Sequence, residues 1–267
     1  MYKIIVLGIA VFLALTVVQG GVAEDMTIHI VYNNVAYDQA LSCRWGMGCV
    51  IEGFEKTILF DTGGDGAALL SNMERMGIDP GGIEVVVLSH IHGDHTGGLQ
   101  DFLSSNSDVV VYVPSSFPSS FKRNVNSRGA RVVEVSKPTE ILPNVYSTGE
   151  LGTWIKEQAL VLRGAEGLVV VTGCAHPGVV VIAERAVQIL DQEIYLITGG
   201  FHLGGASGRE IERIVSALQV LGVRKIAPSH CTGETATQAF KQAWGRNFLE
   251  GGCGARITVP LAAARSD

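Results

Sequence analysis

Short apolar runs rich in β-branched residues alternate with amphipathic segments along this chain, and that alternation restricts the possible fold more than any other feature. Nine runs are predicted to be strands, at residues 27–31, 57–60, 84–89, 109–113, 131–135, 167–172, 194–198, 223–227 and 256–259. Four segments with apolar residues at helical spacing are predicted to be helices, at residues 67–76, 179–190, 209–221 and 235–243. Residues 114–128, rich in Ser and Pro, are predicted to be a loop, either the wall or lid of a pocket or a surface excursion. Because strands follow one another in groups at both ends, the sequence favours an α/β fold with two mixed sheets faced by helices over a single parallel sheet.

The composition is that of a chain that packs a core, since 47% of its 267 residues are hydrophobic and 17% are charged. A chain of this length buries enough surface to fold without a structural metal or a disulfide framework, so any metal that it binds serves chemistry. The net charge is −6, the sequence has no basic run, and aromatic residues make up 7%. This balance disfavours nucleic acid as a partner and favours a small-molecule substrate.

The first 23 residues have the three parts of a secretory signal peptide: a basic residue near the start, an apolar stretch at residues 4–18, and small residues before Glu24. We expect cleavage after Ala23, which leaves residues 24–267 as one domain exported to the periplasm or the extracellular space. The alternative is an uncleaved anchor, which would be the domain's link to a membrane. Its apolar stretch is shorter than the ~20 residues that a spanning helix needs.

The chain has five cysteines, an odd number that cannot all pair with one another. Cys43 and Cys49 are close enough in sequence to form a disulfide in an oxidising compartment. Cys231 and Cys253 are predicted to be structural.

The densest group of metal-ligand side chains directly follows the predicted strand 84–89. His90, His92, Asp94 and His95 fall within six residues. Side chains alternate along a strand, so His90 and His92 point the same way. A turn at the glycine after His92 can bring Asp94 and His95 to a neighbouring point, and the spacing therefore allows two histidines for one metal and an aspartate with a histidine for a second. Imidazole and carboxylate suit zinc best among the common ions, with iron or manganese as alternatives.

The run from His90 to Gly98 resembles the signature of the metallo-β-lactamase superfamily. Residues 59–63 resemble the motif in which a strand of that family delivers an aspartate beneath the metals. The chain also resembles one branch of the family, the dihydropterin ribofuranosylaminobenzene phosphate synthase-like hydrolases, in the segments 157–160, 167–178, 199–203 and 228–233. Essentially the whole chain after the predicted signal peptide is covered. The resemblance implies a four-layer αββα sandwich of two mixed sheets with the metals at one edge.

The same resemblance implies the other site residues. His230 is expected to complete the ligands of the second metal, and His176 either replaces an intermediate histidine of the family or lines the pocket. Most members of the family have a separate histidine and then an aspartate after a Thr-Gly or Ser-Gly pair, where this chain has Cys174 after Thr-Gly. Cys174 is either a bridging thiolate or a small buried apolar residue. His202 is expected to contact substrate or transfer a proton, and Asp61 to orient a metal ligand through a hydrogen bond.

A pair of metal ions can ionise a water near neutral pH and polarise the oxygen that the water attacks. The sequence therefore predicts a metal-dependent hydrolase with two zinc ions, acting on an ester, lactone or phosphate ester of a small molecule. Asp94 would orient the water, and His202 would stabilise charge on the attacked group. One alternative is an iron-dependent redox enzyme, although diiron relatives carry Glu where this chain has His92. Another is a non-catalytic metal-binding module, although a decayed site would be expected to lack some of these ligands.

Overall fold

Two mixed β-sheets pack face to face, with helices on both outer faces, in a computed structural model that describes residues 25–262. This is the four-layer αββα sandwich that the sequence predicts. The signal peptide predicted for residues 1–23 lies outside the described residues. Over residues 25–262, every helix is too short or too polar to cross a membrane.

The first sheet has seven strands, β1 (Asp25–Asn33), β2 (Met47–Glu52), β3 (Thr57–Phe60), β4 (Ile83–Val87), β5 (Val110–Pro114), β6 (Arg131–Val135) and β13 (Arg256–Pro260). Their order is β13-β1-β2-β3-β4-β5-β6. The pairs from β13 to β3 are antiparallel and those from β3 to β6 are parallel. The sequence pattern missed β2.

The second sheet has six strands, β7 (Thr139–Leu142), β8 (Val145–Ser147), β9 (Leu160–Gly164), β10 (Gly167–Thr172), β11 (Ile194–Gly200) and β12 (Lys225–Ser229). Their order is β12-β11-β10-β9-β8-β7. Strands β10, β11 and β12 are parallel, and the remaining pairs are antiparallel. The sequence pattern missed β7, β8 and β9, which have only three to five residues each.

The helices are α1 (Gly66–Arg75), α2 (Gly93–Thr96), α3 (Leu99–Ser105), α4 (Ser119–Ser127), α5 (Val179–Leu190), α6 (Gly208–Val220) and α7 (Glu234–Trp244), with single 3-10 turns at Pro80–Gly82 and Gly245–Asn247. The four predicted helices correspond to α1, α5, α6 and α7, with each boundary within one residue. The helices α2, α3 and α4 were not predicted.

The prediction of a loop at residues 114–128 is wrong for most of that segment, because nine of its residues form α4. Val125 is buried on the inner face of this helix, and Phe121 packs edge-on against Phe117 with their ring centroids 5.1 Å apart. On the outer side, Lys122 Nζ pairs with Glu134 Oε2 at 2.8 Å. The helix forms because tertiary packing supplies an apolar partner for two residues in an otherwise polar stretch.

Strands in the middle of the sandwich are buried on both faces, which explains their nearly continuous apolar sequences. In β2, Cys49 and Ile51 join the core between the sheets, whereas Val50 faces the core under the helices. A third cluster fills the space between the second sheet and α5 to α7. Burying a side chain such as Ile51 stabilises the fold by about 1.5–3 kcal/mol.

Cys43 and Cys49 remain separate thiols, so the disulfide considered for this pair is absent from the structure. Strand β2 directs Cys49 into the core between the sheets, where it is fully buried. The thiol of Cys43 instead lies beside Cys253, whose Sγ also donates to the carbonyl of Val31 at 3.7 Å. All five cysteines are free.

Candidate metal centre

Five strands end at one edge of the sandwich, and each is followed by a residue of the predicted site. Parallel strands place their carboxyl ends at the same edge of a sheet, and this is where α/β proteins build their sites. The site residues that follow β3, β4, β10, β11 and β12 are Asp61, His90, Cys174, His202 and His230.

Four residues at these strand exits have left-handed backbone conformations, with φ of 56° at Asp61, 59° at Ala175, 51° at His202 and 52° at His230. None of them is a glycine. Such conformations cost roughly 1–3 kcal/mol each and persist where the surrounding structure holds them. Their concentration at one edge indicates that the fold is strained here in order to aim these side chains.

The first group of donors consists of His90, His92 and His176. His90 Nε2 and His92 Nδ1 are 3.1 Å apart. The ring centroid of His176 lies 4.8 Å from that of His90 and 4.9 Å from that of His92. His176 Nε2 is buried and has no hydrogen-bond partner among the described residues. The three rings thus lie side by side, with donor nitrogens of His90 close to those of both neighbours, and the buried His176 Nε2 has no hydrogen-bond partner among the described residues.

The second group consists of Asp94, His95, Cys174 and His230, whose ligand atoms all lie within 4.8 Å of one another. His95 Nε2 is 3.3 Å from His230 Nε2 and 3.2 Å from Cys174 Sγ. The Oδ2 atom of Asp94 is 3.4 Å from His230 Nε2. Cys174 also lies within 4.8 Å of the donor atoms of His90 and His176, so its thiol stands between the two groups.

The ring nitrogens that face away from the centre are held by hydrogen bonds. His95 Nδ1 donates to Asp61 Oδ2 at 2.7 Å. His90 Nδ1 donates to Ser89 Oγ at 2.9 Å, and that hydroxyl donates to the same Asp61 oxygen at 2.6 Å. His230 Nδ1 donates to Asn34 Oδ1 at 2.7 Å. With these protons assigned to Nδ1, each Nε2 presents its lone pair to the centre, which is how metal-binding histidines are oriented.

Ser89 and Asn34 are site residues that sequence reasoning missed. Ser89 directly precedes His90 in the predicted motif, and its position next to a ligand was an available signal. Asn34 and His230 are 196 residues apart. The sequence offers no local signal for that contact.

Glu157 fixes the backbone around Cys174. The side chain is fully buried, and its Oε1 accepts the N–H groups of Cys174 at 3.0 Å and Ala175 at 2.8 Å. Its Oε2 accepts the N–H of His176 at 2.8 Å. Burial raises the pKa of Glu157 to about 7, although these N–H groups favour the charged form.

The neighbouring Gln158 joins the two sheets, because its amide donates to the carbonyl of Leu88 at 2.9 Å and accepts from Ser147 Oγ at 2.6 Å.

The electrostatics favour the metal-binding protonation states of His90, His176 and Asp94, and favour the protonated form of His95 as long as no metal competes for its ring nitrogen. Burial and the surrounding imidazoles hold the pKa of His90 well below its usual range, and they lower the pKa of His176 to about 4. Burial alone would raise the pKa of Asp94, but the neighbouring His230 and His95 rings outweigh it and lower that pKa. Burial would lower the pKa of His95, but the Asp61 carboxylate outweighs it and raises that pKa.

These residues fit divalent metal ions. Because the Nδ1 atoms of His95 and His230 both donate to fixed acceptors, their Nε2 atoms carry lone pairs, and these two atoms are 3.3 Å apart. Two lone pairs at this distance repel each other unless a cation or a proton lies between them. The buried Nε2 of His176 has no hydrogen-bond partner among the described residues, and a bound cation would supply one contact for it as well. Imidazole, carboxylate and thiol groups together form a donor set that suits zinc, and iron as well.

His202 lies at the solvent-facing rim of the centre. Its side chain is exposed, and its ring centroid is 4.3 Å from that of His176. Its ligand nitrogen lies within 4.8 Å of the sulfur atoms of Cys174 and Cys231. The structure therefore places His202 beside the two donor groups rather than within them.

Cys231, predicted to be structural, has its sulfur 3.3 Å from that of Cys174 and so belongs to the site.

A cavity of about 410 Å³ opens beside His230. The Trp45 side chain, 60% exposed, stands at its wall with a ring centroid 4.9 Å from that of His230. Val35, Cys231 and Glu234 also line this cavity. Helix α4 lines a separate cavity of about 470 Å³ that includes Ile91, the residue between His90 and His92, so this part of residues 114–128 is a pocket wall in helical form.

The sequence pattern of the metallo-beta-lactamase superfamily matches residues 49–188. The chain belongs to this superfamily, whose members are mostly metal-dependent hydrolases and related enzymes. One relative is the 7,8-dihydropterin-6-methyl-4-(beta-D-ribofuranosyl)-aminobenzene-5'-phosphate synthase of Methanocaldococcus jannaschii. It is 28% identical over an alignment that covers 85% of this chain and 95% of the relative.

Solved structures share the fold. Tm1679, described as a metal-dependent hydrolase of the beta-lactamase superfamily, superposes with a TM-score of 0.73 at 28% identity, covering 87% of this chain and 98% of that one. YhfI from Bacillus subtilis, a metallo-beta-lactamase fold protein, superposes with a TM-score of 0.65 at 13% identity, covering 88% of this chain and 100% of that one. The second similarity concerns the fold alone.

Proposed function

We propose that this protein is a hydrolase that holds two metal ions, preferably zinc, and cleaves an ester, lactone or phosphate ester of a small molecule. The observation that carries the proposal is that two separate donor groups converge on one thiol, that of Cys174. His90, His92 and His176 would hold one ion, and Asp94, His95 and His230 the other, with Cys174 between them. Two such ions would supply Lewis acidity toward the substrate oxygen and a water nucleophile ionised near neutral pH.

The residues around the metals have distinct roles in this proposal. The side chain of Asp94 is 22% exposed and its pKa is lowered, so it presents a carboxylate that can accept a hydrogen bond from the attacking water. His202 can donate a hydrogen bond to charge that develops on the attacked group, because its ring is exposed at the rim. The cavity beside His230 would take the organic part of the substrate against the face of Trp45.

Loss of one metal ligand tests the proposal. We expect purified protein to contain about two equivalents of zinc by elemental mass spectrometry, and to hydrolyse members of a panel of aryl esters, lactones and phosphodiesters. His92→Ala should lose metal and activity together. His29→Gln is the matched control, because His29 is a buried histidine paired with Glu52 at 2.8 Å and away from the centre. His29→Gln should retain both the bound metal and the hydrolytic activity.

Several outcomes would contradict this function. A protein without any transition metal, or a His92→Ala variant with unchanged hydrolysis, would refute the mechanism. Iron with a visible absorption band would favour the redox alternative. Metal bound at both positions without activity across the panel would favour a non-catalytic metal-binding module.

We also propose that the chain is exported and acts outside the cytoplasm. The proposal rests on the signal-like pattern of residues 1–23. The proposed export disfavours the pterin-related synthesis named for the Methanocaldococcus relative, because an exported enzyme would be separated from cytoplasmic precursors. Sequencing the amino terminus of protein recovered from the producing cells tests the proposal, and a mature chain that begins at Glu24 is the expected result.

A further inference from the structure

Cys231 takes no part in the proposed hydrolysis, yet its sulfur lies only 3.3 Å from that of Cys174. A disulfide requires about 2.05 Å between sulfur atoms, so an approach of about 1.2 Å would close the bond. The two cysteines are 57 residues apart and follow β10 and β12, which are separated by β11. Their contact is therefore a product of the fold and not of sequence proximity.

A glycine on the intervening strand makes this contact possible. Parallel strands lie about 4.8 Å apart, so β10 and β12 are roughly 9.6 Å from each other. A Cβ atom on Gly200, at the end of β11, would lie 2.8 Å from Cys231 Sγ and 3.3 Å from Cys174 Cα. Because Gly200 has no side chain, the thiol of Cys231 can reach across the end of β11 to Cys174.

We propose that Cys174 and Cys231 form a reversible oxidation site that reacts with a small organic disulfide such as glutathione disulfide. Cys231 lines the 410 Å³ cavity and is partly exposed, whereas Cys174 is only 3% exposed. The incoming reagent therefore meets Cys231 first.

The reaction proceeds by two exchanges. The Cys231 thiolate attacks one sulfur of the reagent, forms a mixed disulfide and releases one thiol. Cys174 then attacks Cys231 Sγ, forms the Cys174–Cys231 bond and releases the second thiol. The two cysteines lose two electrons and two protons in total, and the reagent gains both as two free thiols.

Oxidation at this pair would weaken metal binding, a consequence that rests on the proposed function. Cys174 is common to both donor groups, and a disulfide sulfur lacks the charge that makes a thiolate a metal ligand. Conversely, a metal-bound Cys174 thiolate is unavailable for the second exchange. Metal loading and disulfide formation therefore compete for the Cys174 thiolate.

The experiment compares metal-free and zinc-loaded protein, each treated with glutathione disulfide. In the metal-free protein, thiol titration should fall from five cysteines to three, the intact mass should fall by two hydrogens, and peptide mapping should find Cys174 linked to Cys231. Zinc at about 100 times its Kd should slow the reaction about 100-fold, since about 1% of the centres are then free. Reduction with dithiothreitol should restore zinc binding.

Two variants test the order of attack. Cys174→Ser should accumulate a stable glutathione adduct on Cys231, because the second exchange is removed. Cys231→Ser should form no internal disulfide at Cys174, and its zinc content should be the same before and after treatment with glutathione disulfide. Cys43→Ser is the control, because Cys43 and Cys253 are a second pair of neighbouring thiols. It should oxidise at Cys174 and Cys231 as the wild type does.

The inference fails if mapping places the disulfide at Cys43 and Cys253, if the Cys174–Cys231 bond does not form, or if the oxidised protein binds zinc as tightly as the reduced one. These results are distinguishable from failure of the proposed function. A protein that forms the disulfide but binds no metal in either state refutes the hydrolase and keeps the oxidation site. A protein that binds zinc and hydrolyses its substrates without forming the disulfide refutes the oxidation site alone.

Discussion

Replacing Asp61 with Asn should weaken metal binding at both positions, although Asp61 is itself no ligand. In the native chain, Asp61 Oδ2 accepts from His95 Nδ1 at 2.7 Å and from Ser89 Oγ at 2.6 Å, while Oδ1 accepts the N–H of Ser89 at 2.7 Å. In the variant, the amide oxygen can keep the contact with the Ser89 N–H. The amide nitrogen then replaces Oδ2 and turns an acceptor into a donor.

This inversion changes the protonation of two ligands. The new amide N–H opposes His95 Nδ1–H, so the histidine is favoured with its proton on Nε2, the nitrogen that faces the metals. The amide can also donate to Ser89 Oγ, whose hydroxyl then donates to His90 Nδ1. His90 is in turn favoured with its proton on Nε2. One substitution therefore disturbs one ligand in each donor group.

The expected magnitude follows from the inverted contacts. In the variant, metal binding still requires the proton of His95 and of His90 on Nδ1, and each of these tautomers then leaves one buried donor without an acceptor. Such a donor costs about 1–3 kcal/mol. We therefore expect a roughly 5- to 150-fold loss of zinc affinity at each position. This range agrees with the 10- to 100-fold losses typical of residues that orient metal-binding histidines.

Competition with a chromophoric chelator measures both zinc affinities. Asp65→Asn is the matched control, because Asp65 caps α1 through an oxygen that Asn retains, accepting the N–H of Ala68 at 3.0 Å. Its zinc affinities should equal those of the wild type. An Asp61→Asn protein that folds with native circular dichroism and binds both zinc ions with wild-type affinity would refute the assigned tautomers.

Four further results are expected. His176→Ala should bind about one equivalent of zinc fewer than the wild type by elemental analysis, since it removes the unpartnered Nε2 from one donor group; unchanged stoichiometry would place that nitrogen outside the centre. Asn34→Ala should lower zinc affinity about 10- to 100-fold by releasing His230 Nδ1, and Asn34→Asp, which keeps the acceptor, should restore it. The pKa of Glu157 is raised to about 7 from an ordinary 4.5, so its contribution to stability is present below about pH 4.5 and is lost as the pH rises through 7. In urea titrations of metal-free protein from pH 4.5 to 8, the free energy of unfolding should therefore fall by roughly 3 kcal/mol more for the wild type than for Glu157→Gln, and parallel curves would contradict the raised pKa. Leu196→Ala, in the core between the sheets, should cost about 2–5 kcal/mol of stability while leaving zinc stoichiometry unchanged.

The sequence by itself determined the layers of the fold and the densest part of the site. Strands buried on both faces must be continuously apolar, and that pattern appears without knowledge of their partners. His90, His92, Asp94 and His95 could be assigned together because one strand end and one turn are local features. The short strands β7 to β9 and the helix α4 were missed, because their residues owe their conformation to neighbours that the linear pattern does not show.

Only the tertiary structure decided how the distant residues complete the centre. Asn34 meets His230 across 196 residues, and Cys174 meets Cys231 across the end of β11 because Gly200 leaves space there. Glu157 holds the Cys174 backbone through three N–H groups, an arrangement that no spacing in the sequence encodes. Side-chain chemistry and local periodicity are properties of neighbouring residues, whereas these contacts depend on which strand ends the two sheets bring to the same edge.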